Sequence, residues 1–187
     1  AVMLLRRERS QLLIIDVQAR LAPHIEGGER VIANCVRLLG YAARLGVPAT
    51  ITEHYRQGLG PSTDAVLAAA GPSAAPRMGK ITFSCWGDAE IAARIRELAS
   101  AGRDQVVVAG MEAHVCVGQT VLDLAAAGLS VFVVADAVGS RSDGVRDLAI
   151  GRVSRAGAHI VAQEMVAFEW LGRGDAPELK DVLRLLK

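Results

Sequence analysis

Helical and extended hydrophobic patterns alternate along the chain. Val31, Cys35, Leu38 and Ala42 recur at spacings of four and three, as do Ile91, Ile95 and Leu98, the period of an amphipathic helix with one buried face. Residues 12–15, 47–52, 105–109, 131–135 and 159–161 instead form nearly continuous apolar, β-branched runs. Strands of that kind are buried on both faces, as in a parallel sheet covered by helices. Four times a helical pattern stops at a glycine, Gly46, Gly102, Gly128 or Gly157, and an apolar run starts within a few residues. Glycine lacks the Cβ that clashes in the left-handed conformation just past a helix end, so each junction predicts a helix stop followed by a strand. The pattern predicts an α/β fold: a three-layer αβα sandwich with an open, mainly parallel sheet of five or six strands, the sixth a short one over residues 81–83.

Residues 58–76, rich in Gly, Pro, Ser and Ala, read as one long connection carrying a short helix over 64–70, not as a linker between domains. Leu179, Val182, Leu183 and Leu186 predict a terminal helix packed on the sheet or on another subunit. The length of 187 residues fits one domain spanning 1–187. Lys+Arg number 21 against 20 Asp+Glu, a net charge of +1, so there is no basic surplus to attract nucleic acid or an anionic membrane, and neither is an expected partner. Hydrophobic residues reach 51% with aromatics at 4%, which makes the core one of Ala, Val, Leu and Ile and excludes general disorder. No apolar run approaches the ~18 residues of a membrane helix. Arg6, Arg7, Glu8 and Arg9 follow a short apolar start that does not match an export signal. Cys35, Cys85 and Cys116 form an odd set without Cys-x-x-Cys spacing, neither a disulfide framework nor a zinc finger, and a cytoplasmic location is expected.

Ligands of open α/β sheets bind at the carboxyl ends of the strands, so the polar residues closing each apolar run are the candidates: Asp16, Glu53, Tyr55, residues 111–116 and Asp136. Cys116 lies where a strand turns into a helix. A helix amino end favours a thiolate and offers N–H groups to an oxyanion, although an inert buried cysteine fits the position equally well. Cys35, on an apolar helical stripe, reads as core; Cys85, beside Trp86, reads as core or pocket lining. Asp16 reads as a turn cap or a base, and Lys80 alone as a surface charge. Convergence on Cys116 would change both readings, because a cation stabilises a thiolate and a carboxylate can take its proton. His114, two residues before Cys116, would point away from it, and Gly58-Leu59-Gly60 lacks the strand and helix context of a phosphate loop. Asp136 is expected to cap a turn through Ser140 or to pair with Arg141.

The stretches Leu13-Ile14-Ile15-Asp16-Val17-Gln18, the Lys80 loop, and Gly110-Met111-Glu112-Ala113-His114-Val115-Cys116 followed by Thr120 resemble the isochorismatase-like cysteine hydrolase superfamily. Thr52-Glu53-His54-Tyr55 with Gly58-Leu59-Gly60-Pro61, and Asp136-Ala137 with Ser140-Arg141-Ser142, look like its isochorismatase-domain-containing subgroup. The resemblance implies a catalytic trio: Cys116 as nucleophile, Asp16 as the general base that takes its proton and later activates water, and Lys80 as the cation stabilising thiolate and Asp16. It also implies a cis peptide at Met111-Glu112, an oxyanion hole from the N–H groups of Glu112 and Cys116, and homo-oligomers. Nicotinamidases of the superfamily bind a metal through an Asp-x-His pair where this chain has Glu53-His54-Tyr55. His24, His54, His114 and His159 show no ligand spacing, so neither a metal nor another cofactor is expected. Glu53, Tyr55, Trp86 and Glu112 are expected to shape the pocket, against alternatives of capping, ring packing and solvation. The leading expectation is a metal-independent cysteine hydrolase cleaving the C–N bond of a small amide-like molecule. The alternatives are a thiol redox or sensing protein, and an oligomeric interaction protein with a vestigial site.

Overall fold

The computed structural model describes residues 3–71 and 75–187. Pro72, Ser73 and Ala74 of the long connection, and Ala1 and Val2, lie outside the described residues. The strands are β1 (Ser10–Ile15), β2 (Ala49–His54), β3 (Arg77–Lys80), β4 (Gln105–Met111), β5 (Ser130–Gly139) and β6 (His159–Val161). All pair in parallel in one sheet of order β3-β2-β1-β4-β5-β6. The helices are α1 (Gly28–Leu45), α2 (Arg56–Leu59), α3 (Asp64–Ala70), α4 (Ala89–Ser100), α5 (Gly118–Ala126), α6 (Asp143–Arg155), α7 (Gln163–Leu171) and α8 (Leu179–Leu185).

The period-2 alternation of the strands divides the core between the two faces of the sheet. Leu12, Ile14, Val107, Ala109, Phe132 and Val134 pack with Val31, Cys35, Leu38 and Ala42 of α1. Leu13, Ile15, Val106, Val108, Val131 and Val133 pack on the other face with Ile91, Ile95, Val121 and Leu124. Both faces are thereby covered, which is why these strands carry almost no polar residue. The glycine stops stand as expected; Gly46, at φ 69, closes α1 with its N–H on the Ala42 carbonyl. The Asp88 carboxylate caps α4 by accepting from the N–H groups of Glu90 and Ile91, both at 3.1 Å. A cap of this kind is worth about 1 kcal/mol.

Two expectations are corrected. The third strand is Arg77–Lys80, not residues 81–83; Ile81 and Phe83 are exposed on a bend that wraps the Lys80 ammonium. The terminal helix packs on α1 and not on the sheet: Val182 is buried, Arg44 pairs with Asp181, and Leu185 lies over Gly40. Among the described residues, no helix is long and apolar enough to cross a membrane.

Candidate active site

The sheet is built outward in two directions, β1 to β3 one way and β4 to β6 the other, which makes the junction of β1 and β4 its topological switch point. Asp16 follows β1 directly, and the Cys116 turn follows β4. Gly110 lets the two strands close up here: at φ 125, any Cβ on it would overlap the Ile15 carbonyl. Asp16 itself holds φ 53 and Tyr55, after β2, φ 39; left-handed conformations cost a non-glycine residue about 1 kcal/mol or more, and both sit at this edge. The Met111-Glu112 peptide is cis. The chain then makes a π-helical turn over Ala113–Val117, with the Val115 and Val117 N–H groups both donating to the Glu112 carbonyl, before α5 begins.

Lys80 Nζ donates to Asp16 Oδ2 at 2.7 Å, and both side chains are fully buried. The ammonium's other donors go to the carbonyls of Thr82, 3.1 Å, and Phe83, 3.0 Å, so all three are satisfied. Asp16 Oδ1 accepts from the Thr52 hydroxyl at 2.7 Å. Cys116 Sγ lies within 4.8 Å of an Asp16 oxygen and of a His54 ring nitrogen. Asp16, Lys80 and Cys116, each following or closing a different strand, are therefore brought together. Burial opposes the charge of Lys80, yet Asp16 and the neighbouring thiols Cys116 and Cys85 hold its pKa above the ordinary lysine value. The Cys116 thiol is pushed up, first by burial and then by the Asp16 carboxylate, against the pull of Lys80. The expectation that a helix start favours the resting thiolate is corrected on this point: burial and a tertiary charge outweigh the local dipole. Burial and that charge favour the protonated thiol.

The remaining candidates have partners of their own. Glu53 is buried, its Oε1 accepting from both the N–H and the hydroxyl of Ser62 at 2.8 Å, with Arg56 at 3.3 Å from Oε2. Tyr55 is half exposed. Trp86 lies under the Arg96 guanidinium, 4.1 Å from its ring centroid. Glu112 is buried beside Arg141, 3.2 Å, and His114, 3.7 Å, while His114 Nδ1 meets the Ser140 hydroxyl at 2.9 Å. Asp136 neither caps through Ser140 nor pairs with Arg141: β5 continues past it, and its carboxylate accepts from the Gln163 N–H at 2.8 Å, at the start of α7. Cys35 is core, its Sγ 3.7 Å from the Ala137 carbonyl. Cys85 is also buried, 3.9 Å from Thr52 Oγ1, and burial raises its thiol to about 11.

Sequence reasoning includes Thr52 and His54 in a stretch that resembles the subgroup but gives neither a role in the site. Alternation along β2 puts both on one face, and the adjacency of β1 and β2 sets that face beside Asp16. Among the described residues, Asp16, His54 and Cys116 could in principle offer ligand atoms to a metal. Lys80 is already the counter-cation of Asp16, and its charge opposes a second cation there.

Residues 10–165 match the family model for the isochorismatase domain. The chain belongs to the isochorismatase family. It is 32% identical to isochorismatase domain-containing protein 2 of Bos taurus over 179 residues, 95% of this chain and 83% of the bovine protein. Isochorismatase domain-containing protein 1 of Salmo salar is 34% identical over 172 residues, 92% of this chain and 59% of the salmon protein. Among solved structures, the MAR1 ribonuclease of Caenorhabditis elegans superposes with a TM-score of 0.91 at 31% identity, covering 98% of this chain and 92% of that one. The YcaC gene product of Escherichia coli, an octameric hydrolase of unknown specificity, shares the isochorismatase fold with a TM-score of 0.89 at 24% identity, covering 99% and 91%.

Proposed function

We propose that the protein is a metal-independent cysteine hydrolase that cleaves the C–N bond of a small amide-like molecule through a covalent Cys116 intermediate. The observation that carries this reading is the buried cluster in which a thiol, a carboxylate and an ammonium from three strand ends meet at the switch point. Asp16 takes the Cys116 proton as sulfur attacks the carbonyl carbon, and the N–H groups of Glu112 and Cys116 receive the developing oxyanion. Collapse breaks the C–N bond, the departing amine takes the proton from Asp16, and water then hydrolyses the acyl group from sulfur. Lys80 holds the Asp16 carboxylate in place at 2.7 Å and offsets the charge that builds on sulfur. Glu53, Tyr55, Trp86 and Glu112 shape the pocket around the substrate.

The raised thiol weighs against the sensing alternative, because peroxide reacts with thiolates. The worm relative's name raises phosphodiester cleavage as a second possibility, but the cation nearest Cys116 is fully buried and neutralised by Asp16. Homo-oligomers are proposed from the octameric E. coli relative and from the exposed Leu4, Met165 and Phe168, which line one apolar groove. Three free cysteines accord with a cytoplasmic location. The test is a screen of small amides, ureides and aryl esters against the wild type, Cys116→Ala and Cys116→Ser, with intact-mass detection of an adduct. Turnover that survives both substitutions would sink the proposal.

A further inference from the structure

We infer that Thr52 is a positioning residue of the site: its hydroxyl sets the plane of the Asp16 carboxylate and so turns an oxygen lone pair toward Cys116. The inference rests on the cysteine hydrolysis proposed above. A carboxyl group turns broadly about its last bond, and a single partner does not fix it. Lys80 Nζ sits on Oδ2 at 2.7 Å, and the Thr52 hydroxyl donates to Oδ1 at the same distance. Two bonds on two oxygens define the plane. A carboxylate offers about four lone-pair positions, so two remain for the Cys116 proton, with Cys116 Sγ within 4.8 Å of an Asp16 oxygen.

The place of Thr52 in β2 suits it to this task. It pairs with Ile15 in the parallel register, and its carbonyl accepts the Asp16 N–H at 3.1 Å, so main chain and side chain hold the same residue. Branching at Cβ stiffens χ1 and keeps the hydroxyl aimed. Both residues are fully buried, so water does not compete for the bond. The direction of the hydroxyl proton is settled from the other side. Cys85 Sγ lies 3.9 Å from Thr52 Oγ1, and burial holds that thiol at about 11, so at neutral pH it stays S–H and donates to Thr52. The Thr52 proton is thereby left for Asp16, and the donors run one way, from Cys85 to Thr52 to Asp16. Cys85 thus has a part beyond packing.

p-Nitrophenyl acetate reads the effect, since the burst of nitrophenolate reports acylation and the later steady state reports hydrolysis. Thr52→Val and Thr52→Ala lack the hydroxyl. Both are expected to keep a full burst amplitude and the half-saturating substrate concentration, while burst rate and steady state fall together by about 10- to 100-fold. Thr52→Ser keeps the hydroxyl and should return most of both rates. Iodoacetamide should alkylate Cys116 in Thr52→Val at close to the wild-type rate, because the Asp16 charge is still beside the thiol. That result separates a turned carboxylate from a collapsed site. Wild-type rates in both hydroxyl-free variants, or a Thr52→Ser as slow as they are, would overturn the role of Thr52. Burst and alkylation lost together in both would make Thr52 a purely structural residue and overturn it as well. A wild type that forms no acyl-Cys116 at all would remove the cysteine mechanism and this inference with it.

Discussion

Two ion pairs bracket β1. At its amino end Arg9 meets Asp104 through two parallel bonds of 2.9 and 2.6 Å, with side chains 43% and 41% exposed; at its carboxyl end Lys80 meets Asp16 through one of 2.7 Å, with neither exposed. By geometry alone the first is the better pair. Water and salt screen it, however, and pairs of this kind are worth about 0–1 kcal/mol. The second gave up hydration worth several kcal/mol per ion and recovers it only through close attraction and full hydrogen bonding. Stability is a weak reason to keep such a pair, while fixing a carboxylate and an ammonium beside a thiol is a chemical one.

The comparison breaks most sharply at Lys80. Lys80→Met leaves Asp16 buried without its counter-charge, and a loss of about 3–5 kcal/mol is expected in urea unfolding, together with loss of turnover. Pairing it with Asp16→Leu should recover most of that stability and none of the turnover; a double variant as unstable as the single would mean the pair does stabilise the fold. Asp16→Asn should slow turnover by about 10²-fold or more and yet speed alkylation of Cys116 by iodoacetamide. Burial and then the Asp16 charge hold the thiol up, and removing that charge leaves burial opposed by Lys80, which favours the thiolate. Alkylation that falls along with turnover would contradict that assignment.

The pH dependence sharpens the contrast. The Cys116 thiol is raised in the folded state, so its contribution to stability is fully present below about pH 8.5, the ordinary thiol value, and is lost as pH rises beyond it. Urea midpoints of the wild type should therefore fall faster in alkali than those of Cys116→Ala. Asp104 is lowered by the Arg9 hydrogen bond, so that pair contributes above about pH 4 and fades as pH drops through the folded value. Arg9→Ala, the smallest effect, should cost under about 1 kcal/mol, disappear in high salt or acid, and leave turnover untouched.

What could be read from the residues followed from how each element is buried. β1 and β4 announce themselves because both faces are covered and almost every side chain is apolar. β3 is an edge strand whose Arg77 and Gly79 are exposed, so its pairing with β2 leaves no hydrophobic mark. Ile81-Thr82-Phe83 looks more strand-like and instead bends around an ammonium. Asp16 and Cys116 were legible as strand-end residues, and Lys80 only through the family resemblance, since its position depends on pairings far away in sequence. His54 stands in the Thr52-Glu53-His54-Tyr55 stretch, but its place beside Asp16 and Cys116 depends on which strand lies next to its own. The direction of the Cys116 shift was missed for the same reason, because a helix dipole is local and the Asp16 charge is not.

The strand order also sets a timetable. Asp16 and Lys80 belong to the half of the chain synthesised first, and Cys116 to the half that follows. While a ribosome is still making the second half, β1, β2 and β3 can bring carboxylate and ammonium together, but the other edge of β1 waits empty for β4. Cys116 reaches Asp16 only when that edge is filled, so the three side chains meet only once the two halves of the sheet are joined.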